Sequence, residues 1–155
     1  MSGVKGVKDT TVPSAAAQQI AERAAAALFG RDTASQALGM RIIAAGPGRA
    51  EVRMRVRADM LNGHGLCHGG IVFALADSAF AFACNSYNES TVAAAASIDF
   101  LAAAREGDEL SADARELWRT SRNGLYEIVV CNQHGERIAL FRGRSYRVRG
   151  PVSGE

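Results

Sequence analysis

Apolar and charged positions alternate most clearly at residues 51–57, where Val52, Met54 and Val56 interleave with Arg53, Arg55 and Arg57. A period of two marks a strand with one face in a core and the other in solvent. The apolar run at 40–45 precedes it across Gly46-Pro47-Gly48, so the two read as a hairpin. Upstream the pattern is helical. Residues 14–30, SAAAQQIAERAAAALFG, are rich in strong helix formers, open on Ser14 as an N-cap and stop at Gly30. Ile20, Ala24, Ala27 and Leu28 are the expected buried stripe of that helix. Residues 1–14 have no apolar period and run into Pro13, which predicts a flexible tail ahead of one folded domain at 15–155.

The segment at about 69–86, beginning GGIVFALADSAFAFAC, has hardly a polar side chain and too little β-branching for a strand of that length. It predicts a helix apolar on every side, which must be buried. Four strand-like runs follow, at about 92–104, 108–120, 124–133 and 136–148, separated by Arg-Glu-Gly-Asp, Ser-Arg-Asn-Gly and His-Gly-Glu turns. The expected class is α+β: about six antiparallel strands wrapped around one long central helix.

Composition narrows the function. A chain of 155 residues, 48% hydrophobic, builds one ordinary domain with a sizeable core. The net charge of +2 is too small to argue for nucleic acid. No stretch reaches the roughly eighteen uncharged apolar residues that a membrane span needs. The N-terminus lacks the apolar core of a signal peptide, and Cys67, Cys84 and Cys131 are too scattered for a disulfide framework, which favours a reducing cytoplasm. Of 18 basic side chains only Lys5 and Lys8 are lysine. Arginine's planar fork suits phosphate, although a genome's composition produces the same bias.

Asp77, near the middle of the apolar helix, is the oddest residue in the chain, since an ionised carboxylate loses solvation there unless something compensates. It either bonds a neighbouring backbone group or does chemistry. Gly69 and Gly70 open the same helix, where backbone NH groups have no internal partner and the dipole is positive. They either permit a tight turn or let a ligand approach the backbone. His64, Cys67 and His68 contain three possible metal ligands, but adjacent Cys67 and His68 are awkward on one tetrahedral ion, so no metal is expected.

The order of elements, and above all MLNGHGLCHGGIVFALADSAFAFACNS followed by SIDFLAAAREGD and ALFRGRSYRV, resembles the hotdog-fold acyl-CoA thioesterases of the phenylacetic acid degradation (PaaI) type. The likeness spans about residues 34–155. The chain departs from it at 102–104, where Ala-Ala-Ala stands in place of Arg-Pro or a similar bend.

The resemblance implies hydrolysis of an aryl-acetyl-CoA, such as phenylacetyl- or hydroxyphenylacetyl-CoA, with Asp77 as nucleophile or general base and the Gly69 NH as oxyanion donor. Coenzyme A enters as part of the substrate, and no other cofactor is expected. Asn62 corresponds to a side-chain amide near the thioester carbonyl, or is ordinary turn chemistry. Ser97 corresponds to a hydroxyl that orients water, or is a small residue tolerated in a strand. His68 fixes its loop or touches substrate, together with Gly70. Leu61 and Phe73, with Phe80 or Phe82, are candidate acyl-pocket residues. Arg119, Arg122, Arg142 and Arg144 are candidates for the phosphates of coenzyme A.

Gly69 and Asp77 lie eight residues apart, roughly 12 Å along a helix, too far to reach one thioester carbon. Two antiparallel copies of the helix solve this, and the resemblance likewise implies a site at a homodimer interface, with dimers pairing into homotetramers. Two rivals remain at this stage. A hydratase or dehydratase of the same fold usually brings a histidine with its acid, and a non-catalytic acyl-CoA-binding module would bind without turnover.

Overall fold

The computed structural model describes residues 12–154; most of the expected tail lies outside them. Helix α1 (Ala15–Arg31) starts as expected on Ser14, whose hydroxyl accepts from the Ala17 NH at 3.2 Å. It runs through Gly30 and stops at Asp32, which in turn caps a short unforeseen helix, α2 (Thr33–Ala37). The buried face of α1 is Ala21, Ala24 and Ala25, while Ile20 is 45% exposed, which corrects the expected stripe. In this helix, where alanine holds 8 of 17 positions, the inward side is the one that must approach a neighbour closely. A bulky isoleucine does not fit there.

Strands β1 (Arg41–Gly46) and β2 (Arg49–Arg55) form the expected hairpin. A single 3-10 turn at Ala58–Met60 leads into the loop before helix α3 (Gly69–Cys84). The rest of the chain forms β3 (Thr91–Phe100), β4 (Glu109–Arg119), β5 (Asn123–Cys131) and β6 (Arg137–Arg147). The six strands make one antiparallel sheet in the order β1-β2-β4-β5-β6-β3, and α3 packs on it in contact with every strand. This is the hotdog arrangement. Strand β3 ends sooner than expected, because residues 101–104 turn away to tie the loop before α3: the Ala104 carbonyl accepts from the Cys67 NH at 2.8 Å.

Leu75, Phe80 and Phe82 of α3 pack with Val52, Met54, Leu110, Ile128 and Phe141 of the sheet to form the core. Phe80 lies so close over β6 that a Cβ on Gly143 would come within 2.7 Å of its ring. Phe80 and Phe82, 1% and 0% exposed, are therefore core and not acyl-pocket residues.

Helix α3 is not buried on every side. Gly70, Phe73, Ala74, Asp77 and Ala81 stay open, and their spacing traces one stripe along the helix. The two edges of the sheet also differ. At β1 the Gln18 amide of α1 donates to the Ala45 carbonyl at 2.6 Å, so α1 guards that edge. Among the described residues the edge at β3 has no neighbouring strand, and its side chains are nearly all exposed.

Candidate active site

The loop that leads into α3 is built on Asn62. Its Oδ1 accepts from the backbone NH of His64 at 2.9 Å and of Leu66 at 3.2 Å. These bonds realise the turn chemistry expected of an asparagine, yet they use only the carbonyl half of the side chain. The Nδ2 group has no acceptor among the described residues, so a hydrogen-bond donor remains free on a rigid support.

His68 is the N-cap of α3, with Nδ1 accepting from the Gly70 NH at 2.9 Å. An NH can only donate, so Nδ1 carries no proton here and any proton sits on Nε2. This cap takes up the Gly70 NH and leaves the NH of Gly69 without an acceptor among the described residues. A free NH at the positive end of a 16-residue helix suits a developing oxyanion. Sequence reasoning missed Phe100, whose ring lies so near Gly69 that a Cβ there would meet it at 3.1 Å.

Asp77 is half-buried on the open stripe, and its carboxylate has no hydrogen-bond partner among the described residues. Burial first, and the negative charge of Asp32 second, raise its pKa above the usual carboxylate value. A carboxylate held this way is a stronger base than a free one. Phe73 stands on the same stripe with its ring 5.1 Å from that of Phe141, and Leu61 is half-buried at the head of the loop. Cys67 points into the core, whereas His64 and His68 are exposed.

Ser97 lies elsewhere. It pairs with Arg142, on the sheet face opposite α3, while its neighbour Ile98 pairs with buried Phe141. Within one chain the structure does not bring Ser97 to the carboxylate.

The arginines sort by what already holds them. Arg119 bonds Glu89 at 3.1 Å and stacks over the Tyr87 ring at 3.7 Å, and Arg142 bonds Glu127 at 3.1 Å. Arg122 and Arg144 have no ionic partner among the described residues. Arg122 lines an open groove of about 690 Å³ together with Arg147, Arg149 and Ser121. Arg144 sits on the outer face of β6, opposite Leu125.

A long helix with a central aspartate and a free N-terminal NH, laid on a six-stranded antiparallel sheet, defines the hotdog class of thioesterases. Residues 64–139 match the family model described as the thioesterase superfamily. Over 129 residues, 83% of this chain and 92% of the relative, the sequence is 47% identical to acyl-coenzyme A thioesterase PaaI of Escherichia coli K12. It is 38% identical over 130 residues, 84% of each chain, to a putative esterase of Archaeoglobus fulgidus. The solved structure of the E. coli PaaI protein from the phenylacetic acid degradation operon matches with a TM-score of 0.85 at 45% identity, covering 86% of this chain and 97% of that one. The chain belongs to the hotdog-fold thioesterase superfamily, is closely related to the PaaI-type acyl-CoA thioesterases and is a thioester hydrolase. Among the described residues no helix is long and apolar enough to cross a membrane.

Proposed function

We propose that the chain hydrolyses aryl-acetyl thioesters of coenzyme A, of the phenylacetyl or hydroxyphenylacetyl kind, at a site shared by two copies of the chain. The observation that carries this reading is the open stripe of α3, which bears the Asp77 carboxylate and ends at the free Gly69 NH. In the reaction a water loses a proton to Asp77 as its oxygen bonds the thioester carbon, or the carboxylate itself attacks and water later cleaves the anhydride. The Gly69 NH and the helix dipole take the oxyanion, and the Asn62 amide donates to the same oxygen. The C–S bond then breaks, and the coenzyme A thiolate leaves with a proton. So written, the reaction requires neither metal nor redox cofactor.

The two-copy site is supported by the free edge of β3. Between Thr91 and Phe100 it carries one charge, Asp99, and neither lysine nor proline, the usual guards of an exposed edge. Two-fold pairing of β3 with its copy joins the sheets and sets the two α3 helices antiparallel, so that Gly69 of one faces Asp77 of the other. Pairs of such dimers make a homotetramer. The groove at Arg122, Arg147 and Arg149 takes the phosphates of coenzyme A, Phe73 and Leu61 line the acyl end, and the enzyme works in the cytoplasm. The aryl-acetyl assignment leans on the E. coli relative, whose structure is described as coming from the phenylacetic acid degradation operon.

The test is steady-state release of free thiol from a panel of acyl-CoAs by the wild type and by Asp77→Asn. Turnover of phenylacetyl-type esters that drops by about a hundredfold or more in the variant supports the reading. Binding of acyl-CoA with no thiol released from any ester overturns the hydrolysis of aryl-acetyl-CoA, and unchanged turnover in Asp77→Asn removes Asp77 from the mechanism.

A further inference from the structure

Arginines gather at the ends of β4 and β6, and one carboxylate stands among them. Glu89, in the loop between α3 and β3, pairs with Arg119 through Oε2 at 3.1 Å and with Arg147 through Oε1 at 3.0 Å. It lies in a narrow cleft whose walls include Arg119, Ser121, Arg122 and Arg147. Ser121, Arg122 and Arg147 also line the open groove, to which Arg149 adds a further arginine. The two linings together hold a single acidic residue, Glu89.

The two arginines that Glu89 holds are not equivalent. Arg119 is fixed from three sides, by Glu89, by the Tyr87 ring at 3.7 Å and by Glu116 at 4.0 Å. Arg147 has Glu89 as its one ionic partner among the described residues, and its side chain is 45% exposed. Its backbone NH donates to the Arg122 carbonyl at 2.8 Å, which sets Arg147 beside Arg122 at the groove. The loop itself is tied elsewhere. The Asn85 side chain bonds the NH and the carbonyl of Thr91, each at 2.9 Å, and Asn88 Oδ1 accepts from the NH groups of Val152 and Ser153 at 3.2 and 2.9 Å. Holding the loop in place therefore does not require the pair with Arg147.

Coenzyme A carries a ribose phosphate and a pyrophosphate, and an anion bound in the groove meets Arg147 already engaged. A partly exposed ion pair is weak, so a phosphate can take the guanidinium from it. The displaced carboxylate stays tethered within a few ångströms, where it competes again for Arg147 and repels the bound anion. We infer that Glu89 is an internal counter-anion of the groove: it competes with phosphate for Arg147 and so weakens the hold on acyl-CoA and on free coenzyme A alike, which keeps the product from blocking the site. The inference rests on the proposed reading that the groove at Arg122, Arg147 and Arg149 takes the phosphates. Glu89 so placed tunes binding and takes no part in the chemical step.

The test measures inhibition of thioester hydrolysis by coenzyme A and by pantetheine, which lacks the phosphates, in wild type, Glu89→Gln and Arg122→Ala. Gln keeps the length of the side chain and an oxygen for Arg119 but loses the charge. Glu89→Gln should lower the inhibition constant of coenzyme A by about three- to tenfold, lower the KM for acyl-CoA in parallel, and leave pantetheine as it is in the wild type. Added salt should narrow the gain, because the contact is screened. A residue that only braced its loop would lower the melting temperature without tightening coenzyme A, so an unchanged or raised inhibition constant overturns the proposal. Should Glu89→Gln not fold, Glu89→Asp decides, since it keeps the charge and draws it back from Arg147 by one methylene. Tighter coenzyme A with unaltered pantetheine supports the proposal there too, and anything else overturns it. Arg122→Ala separates the two levels. If it inhibits with coenzyme A exactly as the wild type does, the phosphates bind elsewhere and the reading of the groove falls; weaker coenzyme A there, with no gain in Glu89→Gln, strikes only the role of Glu89.

Discussion

Asn62 and Asn132 head two copies of one loop and differ in what their amides hold. In both, Oδ1 accepts from the backbone NH two and four residues on, at 2.9 and 3.2 Å for Asn62 and at 3.0 and 3.1 Å for Asn132. Both loops also turn through a glycine of positive φ, Gly65 at 72° and Gly135 at 77°. Between β5 and β6 the Asn132 amide is taken by Glu136 at 3.0 Å. Before α3 the matching residue is Leu66, and the Asn62 amide has no acceptor among the described residues. Leu66→Glu transplants the acceptor, and it should keep the loop closed while lowering kcat about tenfold or more, as loss of one donor to the carbonyl does. Glu136→Leu should leave kinetics unchanged. Steady-state assays with a melting curve for each variant check both.

The raised pKa of Asp77 has a cost in stability. Because the folded carboxyl binds its proton more tightly than the unfolded one, stability falls as pH rises through the unfolded value and on to the folded one. Above both, the penalty is fully present. Asp77→Asn should therefore melt higher than the wild type at pH 7, and the gap should close below about pH 4, where the carboxyl is protonated in both states. Thermal melts at the two pH values measure this, and a lower melting temperature for the variant at pH 7 would assign Asp77 a structural bond instead.

The strands and the central helix were legible because their patterns are strong: alternation at 52–57, turn residues between runs, and sixteen residues of α3 without a lysine or arginine. Asp77 and Gly69 stood out because a charge and a glycine pair are costly in such a helix. What stayed hidden depends on position in space. Alanine carries no phase information, so the buried side of α1 was misread at Ile20. Glu89, Arg119 and Arg147 look like ordinary charged residues until the loop after α3 meets the ends of β4 and β6. The side of the sheet that Ser97 faces depends on register, and the bulge between Ala93 and Ala95 changes the count of alternation along β3. The arginines looked alike in the sequence, and only their partners distinguish them.

Strand β3 offers a direct test of the shared site. Ala95 is exposed and sits across from Arg144 of β6, so Ala95→Glu is compatible with a single folded chain. The same glutamate puts a charge into an edge joint whose centre has none. Sedimentation should show dissociation toward monomers, with activity at least about tenfold lower at dilute protein and recovering as concentration rises. Full activity in a variant that sediments as a monomer would mean that one chain supplies the whole site.

Coenzyme A recognition should follow which arginines are free. Arg119 is committed to Glu89 and the Tyr87 ring, and Arg147 also bonds Glu89 at 3.0 Å, so replacing Arg119 breaks a network that anchors the loop after α3. Arg119→Ala should lower the melting temperature with little change in KM. Arg122 has no ionic partner among the described residues, and it lines the open groove with Arg149. Arg122→Ala should raise KM for acyl-CoA by about three- to tenfold while kcat holds, which is the signature of binding energy shared equally by ground and transition states. A pantetheine thioester, lacking the nucleotide and its phosphates, should be turned over equally by wild type and variant. Added salt should narrow the gap for acyl-CoA, because an exposed arginine–phosphate contact is screened. If the KM for the pantetheine ester rises as well, Arg122 acts on the acyl end of the site and the phosphates bind elsewhere.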